Sequence, residues 1–442
     1  MGLLRIHRWG TSEAAALLRR TALDEIATGA AVSAQTEAVF GVALSPEQFV
    51  ERVRIEVLTR GDAALREIAE KLEGTPSTQF ETTRAEIEDA YTRIPESLVD
   101  DLRAAADRIA RFHRQQPDGS WLDYSEGLGQ MRVPLERVGL YAPAGRAAYP
   151  STVLMTAVPA IVAGVKEIIL CTPPQRDGRQ RAEMLVAADI AGVHRVFRLG
   201  GAQAIMAMAY GTQTVPRVDK ILGPGNLYVV LAKKRVFGTV GIDQLPGPTE
   251  TLVLADDSAG AEAVAADLLA QAEHDPLASA ILITTSSALA GAVGEALERQ
   301  LGDLPTAETA RASLAVRGGA VIVESVEMGM DLANEFAPEH LCLLVRDPWT
   351  WVGRVRHAGG VFVGEASPEA AGDYVAGPSH VMPTAGTARF SSPLSVDDFV
   401  KTISVVGLSR ARLGEIGPLA ARLARAEGFE AHARAVERRL RN

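Results

Sequence analysis

From about residue 132 the chain repeats one pattern: a short apolar run, a stretch with helical spacing, then another short apolar run. Lys166–Thr172 (KEIILCT) reads as a buried strand, and Arg181–Gly192 as a helix that stops at a glycine. His194–Arg198 reads as a strand, Gly200-Gly201-Ala202-Gln203-Ala204 opens a helix, and the strand Lys220–Leu222 runs into Gly223-Pro224-Gly225-Asn226. Strands that are apolar throughout are covered on both faces, and helical crossovers of this length join parallel neighbours. Pro246-Gly247-Pro248 interrupts the pattern, which then restarts. Thr251–Ala255, Ala280–Thr285, Ala320–Val323, His340–Val345 and Gly360–Gly364 are predicted strands, and Ala259–Ala272, Ser287–Arg299 and Trp349–Ala358 the helices among them. The fold class that follows is α/β, with two Rossmann-like parallel-sheet domains.

Outside these repeats the spacing changes. Residues 11–116 read as helices, one of them opened by Ser45-Pro46-Glu47-Gln48, which places a capping serine, a first-turn proline and a glutamine at the third position. From Ser391 onward DDFVKTISVV, Ile416–Glu427 and Phe429–Arg441 read as helices with polar faces. The expected division is a helical segment over 1–44, a first α/β domain over 45–135 plus 250–390, a second over 136–249, and an extended helical tail over 391–442. The tail is long enough to leave its parent domain and pack on a partner subunit.

Composition narrows the class. Apolar residues make up 47% of the 442 positions and aromatics 5%, so the core is built from Ala, Val, Leu and Ile, as in α/β enzymes rather than β-sandwiches. A net charge of −10 without any Lys/Arg block argues against nucleic acid or an anionic membrane as partner. Cys171 and Cys342 both lie in apolar runs, which predicts buried thiols in a reducing compartment. The opening MGLLRIHRWGTSEAAALLRR lacks the features of a signal peptide, and the longest apolar stretch, Ser151–Val165, contains Pro159 and is too short to span a bilayer. A cytoplasmic, soluble chain is the expectation.

Several short stretches combine residues that chemistry needs. Glu339-His340 in NEFAPEHLCLLV follows a proline that disfavours a helix running into the pair, so the two lie in a loop feeding a strand. An imidazole near its own pKa is a general base at neutral pH, and a desolvated carboxylate becomes a second one; the other reading is a polar strand entrance. Gln271 and His274 (QAEHDP) lie three apart on one helical face at a helix end, as metal donors or as a histidine favoured by the helix dipole. Asp373 and His380 (GDYVAGPSH) follow a strand, where open α/β sheets bind ligands, although Asp and Gly also serve turns. Glu427 and His432 (EGFEAH) open a helix near the C-terminus, where a solvated helix end is the plain alternative. Gln, two His and an Asp form a mixed nitrogen and oxygen set that suits zinc. The glycine turns at Gly139–Gly145, Gly200-Gly201 and Gly223–Asn226 lie at strand ends, where backbone can approach phosphate; none is a complete GxGxxG fingerprint with its acidic residue.

Taken in order, these stretches resemble the histidinol dehydrogenase family. The resemblance runs from RGDAALRE at Arg60 through ERVGLYAPAG, STVLMTAVPA, LGGAQAI, VDKILGPGN, GPTE, DLLAQAEHDP, FAPEHL, GDYVAGPSHVMPT and TARFSSPLSVDDF to EGFEAH at His432. It implies a four-electron oxidation of L-histidinol through a retained aldehyde to L-histidine with two NAD⁺. It implies that His340 takes the hydroxyl proton and Glu339 activates water. It carries zinc ligands onto Gln271, His274, Asp373 and His432, and substrate contacts onto these and onto Ser151, Thr249, His340, His380 and Glu427. NAD contacts fall on Tyr141, Gln203 and Asn226. The family's homodimer exchanges C-terminal tails, which implies that Glu427 and His432 reach the neighbour's site. APAG after Tyr141, Pro246, Thr249 and Ser379 depart from the usual family residues, and the threonine keeps a hydroxyl. Two other readings share these residues: a related zinc- and NAD-dependent dehydrogenase of another polar alcohol, such as a sulfonated diol, and a zinc hydrolase.

Overall fold

The apolar runs become the strands of two parallel sheets. A computed structural model describes residues 2–20, 36–37, 39–73, 79–117, 119–144 and 148–441. Residues 21–35 of the expected N-terminal segment, and Gly145 of the turn after Tyr141, lie outside them. In chain order the strands are β1 Ile6–Arg8, β2 Trp121–Asp123, β3 Leu128–Pro134, β4 Arg137–Tyr141, β5 Glu167–Thr172, β6 Arg195–Arg198, β7 Lys220–Leu222, β8 Gly241–Ile242, β9 Glu250–Ala255, β10 Ser279–Thr284, β11 Gly318–Ile322, β12 His340–Leu344, β13 Gly360–Val363 and β14 Val400–Val406. The chain divides into two compact units, Met1–Gln115 with Glu136–Phe399 and Gln116–Leu135 with Val400–Asn442.

The first unit carries both parallel sheets. One is ordered β1-β11-β10-β9-β12-β13 and the other β6-β5-β4-β7-β8. β9 through β12 are buried at every position. Alternate residues feed opposite cores: Val253, Leu282 and Cys342 enter one, and Leu252, Ile281 and Leu341 the other. This period of two, with both faces apolar, is why the runs lack an alternating pattern. Cys171 and Cys342 are free, buried thiols. Among the described residues no helix is long and apolar enough to cross a membrane.

The structure redraws three of the expected boundaries. The N-terminal segment is not purely helical, because Ile6–Arg8 pairs parallel to β11, with Ile6 opposite Ala320. Three residues are too few to show a period. The helices between 46 and 113 do not join the domain of Glu339 and His340: Phe49, Val50, Val53, Val57, Leu65 and Ile68 share a core with Ile169 and Phe197 of the β4–β8 sheet and with Ile205 and Val229 of the helices that cover it. Helical spacing shows which face is buried, not which sheet it meets. The capping box at Ser45 and Gln48 forms as the spacing predicts.

In the second unit the tail is not all helix. VKTISVV, rich in β-branched residues, is β14 and runs antiparallel to β3 from Val400 opposite Pro134 to Val406 opposite Leu128, with β2 on the far side of β3. The helices Arg410–Ala426 and Glu430–Leu440 follow, and Gly417, Ala421 and Ala433 are buried in them.

Candidate active site

His340 is the first residue of β12, opposite Thr251 of β9 and Gly360 of β13. The site it anchors lies at the N-terminal edge of the six-stranded sheet. Gln271 reaches that edge because the Ala261–Ala272 helix leaves the far end of β9 and returns to the start of β10. The expectation that Asp373 and His380 sit in a glycine-bracketed loop beyond strand carboxyl ends is therefore corrected. Asp373 lies on a short helix, Glu369–Tyr374, whose Glu369 bonds to Thr251 at the N-terminal edge.

The Val326–Phe336 helix ends at Ala337, which adopts a left-handed φ of 52°. Arg20 secures this turn: its guanidinium donates to the carbonyls of Phe336 (2.7 Å) and Ala337 (2.8 Å), pairs with Glu250 and lies 4.1 Å over the Phe336 ring. Pro338 follows, and the Glu339 carbonyl accepts from Gly360 N at 2.8 Å. Gly359 must be glycine, because a Cβ there would lie 2.6 Å from the Glu339 carbonyl oxygen, with Met382 and Pro383 behind it.

Glu339 and His340 are both buried, but their surroundings differ. Glu339 Oε2 accepts from the Thr249 hydroxyl at 2.5 Å and from Glu250 N at 3.1 Å. Burial nevertheless pushes its carboxyl up to about 7, against the pull of His340, Thr249 and the Glu250 amide. Among the described residues His340 has no hydrogen-bond partner at either ring nitrogen. Its Nδ1 lies 3.4 Å from Glu369 Oε1 and 3.8 Å from Glu339 Oε2, and its Nε2 lies 3.9 Å from Asp373 Oδ1. Burial, reinforced by the Asp373 charge, pushes the Glu369 carboxyl well above the usual carboxylate range.

The remaining predicted residues separate into those drawn to this edge and those elsewhere. Gln271 is fully buried, with its Oε1 2.9 Å from Thr251 Oγ1 and its amide nitrogen unpartnered among the described residues. His274 stands two residues past the helix end and is exposed, and its backbone N–H donates to the Gln271 carbonyl at 3.4 Å. His380 Nδ1 is 2.8 Å from the Asp373 carbonyl, which can only accept, so Nδ1 carries the proton and Nε2 accepts from Thr152 Oγ1 at 3.2 Å. Burial holds the His380 ring below its ordinary pKa, with Asp373 opposing. Thr152 and Ser151 stand in the first turn of the Pro150–Ala163 helix. Ser379, one of the departures, is buried and donates to the Met155 carbonyl at 3.0 Å.

Tyr141, Gln203 and Asn226 gather at the C-terminal edge of the β4–β8 sheet. Tyr141 OH accepts from Gly201 N at 3.0 Å, Gln203 Oε1 is buried and unpartnered among the described residues, and Asn226 caps the Leu227–Val236 helix through Val229 N. A buried ion pair, Lys233 with Asp243, grips the turn between them: Lys233 Nζ donates to Gly223 O at 3.0 Å and Asp243 accepts from Gly223 N at 2.7 Å. Glu427 and His432 belong to the second unit. Glu427 is the C-cap of Arg410–Ala426, and His432 is exposed in the helix that follows, its ring 5.3 Å from Phe429.

Among the described residues no group of three or more His, Cys, Asp or Glu is arranged to hold a metal. Donors of the first unit still fit one. Gln271 has an amide end uncommitted among the described residues, and the Asp373 carboxylate lies 3.9 Å from His340 Nε2. The edge of the second sheet fits a dinucleotide, with two helix N-termini and the unpaired Gln203 oxygen. Thr152, Thr251 and Glu369 were not singled out from the sequence. Only Glu369 carried a readable signal, standing four residues before Asp373 on one helical face.

A model of the family described as histidinol dehydrogenase matches residues 43–440. The histidinol dehydrogenase of Deinococcus radiodurans is 54% identical over 434 residues, covering 97% of this chain and 99% of that protein. That of Moorella thermoacetica is 53% identical, covering 90% and 94%. The crystal structure of histidinol dehydrogenase from Elizabethkingia anophelis superposes with a TM-score of 0.91 at 34% identity, covering 100% of this chain and 99% of that one. With the family model matched over most of the chain, a relative identical at 54% of positions along nearly all of it and a superposing crystal structure, the chain belongs to the histidinol dehydrogenase family.

Proposed function

We propose that the chain oxidises L-histidinol through L-histidinal to L-histidine, reducing two NAD⁺, with one zinc per subunit. The observation that carries this reading is the buried pair in two environments: an imidazole with both nitrogens uncommitted, beside a carboxyl raised to about 7. Two proton tasks need two positioned bases. When bound, NAD⁺ supplies the hydride acceptor for each oxidation and zinc anchors the amine and imidazole nitrogens of the substrate. Gln271, His274 and Asp373, with His432, would hold the zinc. Tyr141, Gln203 and Asn226 would hold the dinucleotide.

His340 takes the hydroxyl proton at its ring nitrogen as the carbinol carbon loses hydride. Glu339 takes a proton from water as that water adds to the aldehyde, which makes the hydrate for the second oxidation. Burial of both bases keeps bulk water from the aldehyde. Ser151, Thr249, His380 and Glu427 would contact the polar ends of the substrate. The active form in this reading is a homodimer in which each tail completes the neighbour's site. Exposed Trp121, Leu122, Tyr124, Val406, Leu419 and Phe429 on the second unit support a partner there.

The test is NADH yield per histidinol with zinc analysis of the same sample. Two NADH per substrate and one zinc per chain are expected. No NADH from histidinol, with turnover of a sulfonated or phosphorylated diol instead, would overturn the substrate assignment.

A further inference from the structure

Two shielded side-chain carbonyls stand at the C-terminal edge of the β4–β8 sheet. Gln203 follows β6 and Gln244 follows β8, and the Oε1 atom of each is buried with no hydrogen-bond partner among the described residues. β6 and β8 are the outer strands of the order β6-β5-β4-β7-β8, about 19 Å apart at ordinary strand spacing, so the two glutamines do not serve one group. Gln244 is tied to this edge through its neighbour. Its backbone N–H donates to the Asp243 carboxylate at 2.6 Å, and the same carboxylate accepts from Gly223 N at 2.7 Å. Gly223 lies directly on Tyr141, because a Cβ there would come 2.1 Å from the Tyr141 carbonyl oxygen. From Asp243 the chain crosses toward the other sheet and reaches Thr249, whose hydroxyl donates to Glu339 Oε2 at 2.5 Å. Those six residues span at most about 20–22 Å. A dinucleotide that takes hydride from a carbinol beside Glu339 and His340 brings its reactive ring to this end of the edge.

We propose that Gln244 is a cofactor-binding residue whose Oε1 accepts a hydrogen bond from the carboxamide nitrogen of the nicotinamide. That nitrogen carries the only N–H donors on the reactive ring. Without a donor from the ligand, the shielded carbonyl stays unpaired and bears the cost of its lost hydration. The pairing fixes the rotation of the ring about its ribose bond, and with it the face turned to the carbinol. The inference rests on NAD⁺ being the oxidant and deepens that reading by naming the residue that recognises its reactive end.

The test compares NAD⁺ with its 3-acetylpyridine analogue, in which a methyl group replaces the amide nitrogen and the carbonyl is kept. Calorimetric titration of the zinc-loaded, full-length protein gives the affinity for each without turnover. The wild type should bind NAD⁺ about 3–10-fold more tightly than the analogue, and Gln244→Met should lose this preference by weakening NAD⁺ alone. Gln244→Glu keeps an acceptor oxygen at the same reach and should keep the preference. A wild type without the preference, a Gln244→Met protein that retains it, or an equal loss of both ligands in that variant would overturn the proposal. A glutamine that only shapes the loop gives the equal loss, since comparing two ligands on one variant cancels any general damage. Failure of the cofactor reading is a different result: the wild type would then bind neither dinucleotide and form no NADH from histidinol.

Discussion

Glu339 shows how one residue's surroundings set its chemistry. Its carboxyl is raised to about 7 by burial, and a base must be ionised to act. Aldehyde oxidation should therefore rise with pH through about 7 and level off above it, while Glu339→Gln should suppress that step and leave alcohol oxidation largely intact. Steady-state rates with histidinal across pH check both. The sign for stability is opposite. A carboxyl raised on folding favours the folded state below its ordinary range, and this contribution is lost as pH passes upward through 7. The Thr249 hydroxyl holds the carboxyl down. Thr249→Val should move the aldehyde-step limb to higher pH by about one to two units, the equivalent of roughly 1.5–3 kcal/mol for a hydrogen bond to a charged group. The pair was legible in the sequence because its members are adjacent and follow a proline. Glu369 and Thr251 were not, because they come from another helix and another strand and meet His340 only across the sheet.

Two short elements hold the residues around which the chemistry turns. The stretch before β13 packs so tightly against the backbone of Glu339 that Gly359→Ala should destabilise the fold by about 1–3 kcal/mol, read by urea denaturation. The Gly223 turn is gripped by Lys233 and Asp243, both buried. Lys233→Met leaves Asp243 buried without its cation and should cost about 3–5 kcal/mol, seen as a lowered melting temperature. Apolar runs announced the strands of both sheets, and capping residues announced helix starts such as Ser45. The edge from which a helix presents its side chains was not announced. Gln271 comes at a helix end, but only the path of that helix from β9 to β10 brings it to the N-terminal edge beside His340.

For the whole molecule, the proposal that tails are exchanged makes a counting prediction. His340→Asn and His432→Ala chains, each inactive alone, should regain activity when unfolded and refolded together. Half of the dimers would be mixed, and each would have one intact site, giving about a quarter of wild-type activity. If each tail served its own chain, every site in the mixture would carry a substitution and no activity would return. The assay is NADH formation from histidinol after co-refolding, with sedimentation confirming dimers.

By itself the sequence determined the α/β class, the parallel order implied by fully apolar strands, and the pairing of Glu339 with His340. Those features depend on local spacing, and burial on both faces of a sheet imposes them residue by residue. Only the tertiary structure decided that Ile6–Arg8 joins the six-stranded sheet, that the helices between 46 and 113 cover the other sheet, and that VKTISVV is a strand. It also decided that Thr251 and Glu369 stand between His340 and Gln271. These depend on which surfaces meet, and a period or a cap marks a surface as apolar without naming the one it will bury.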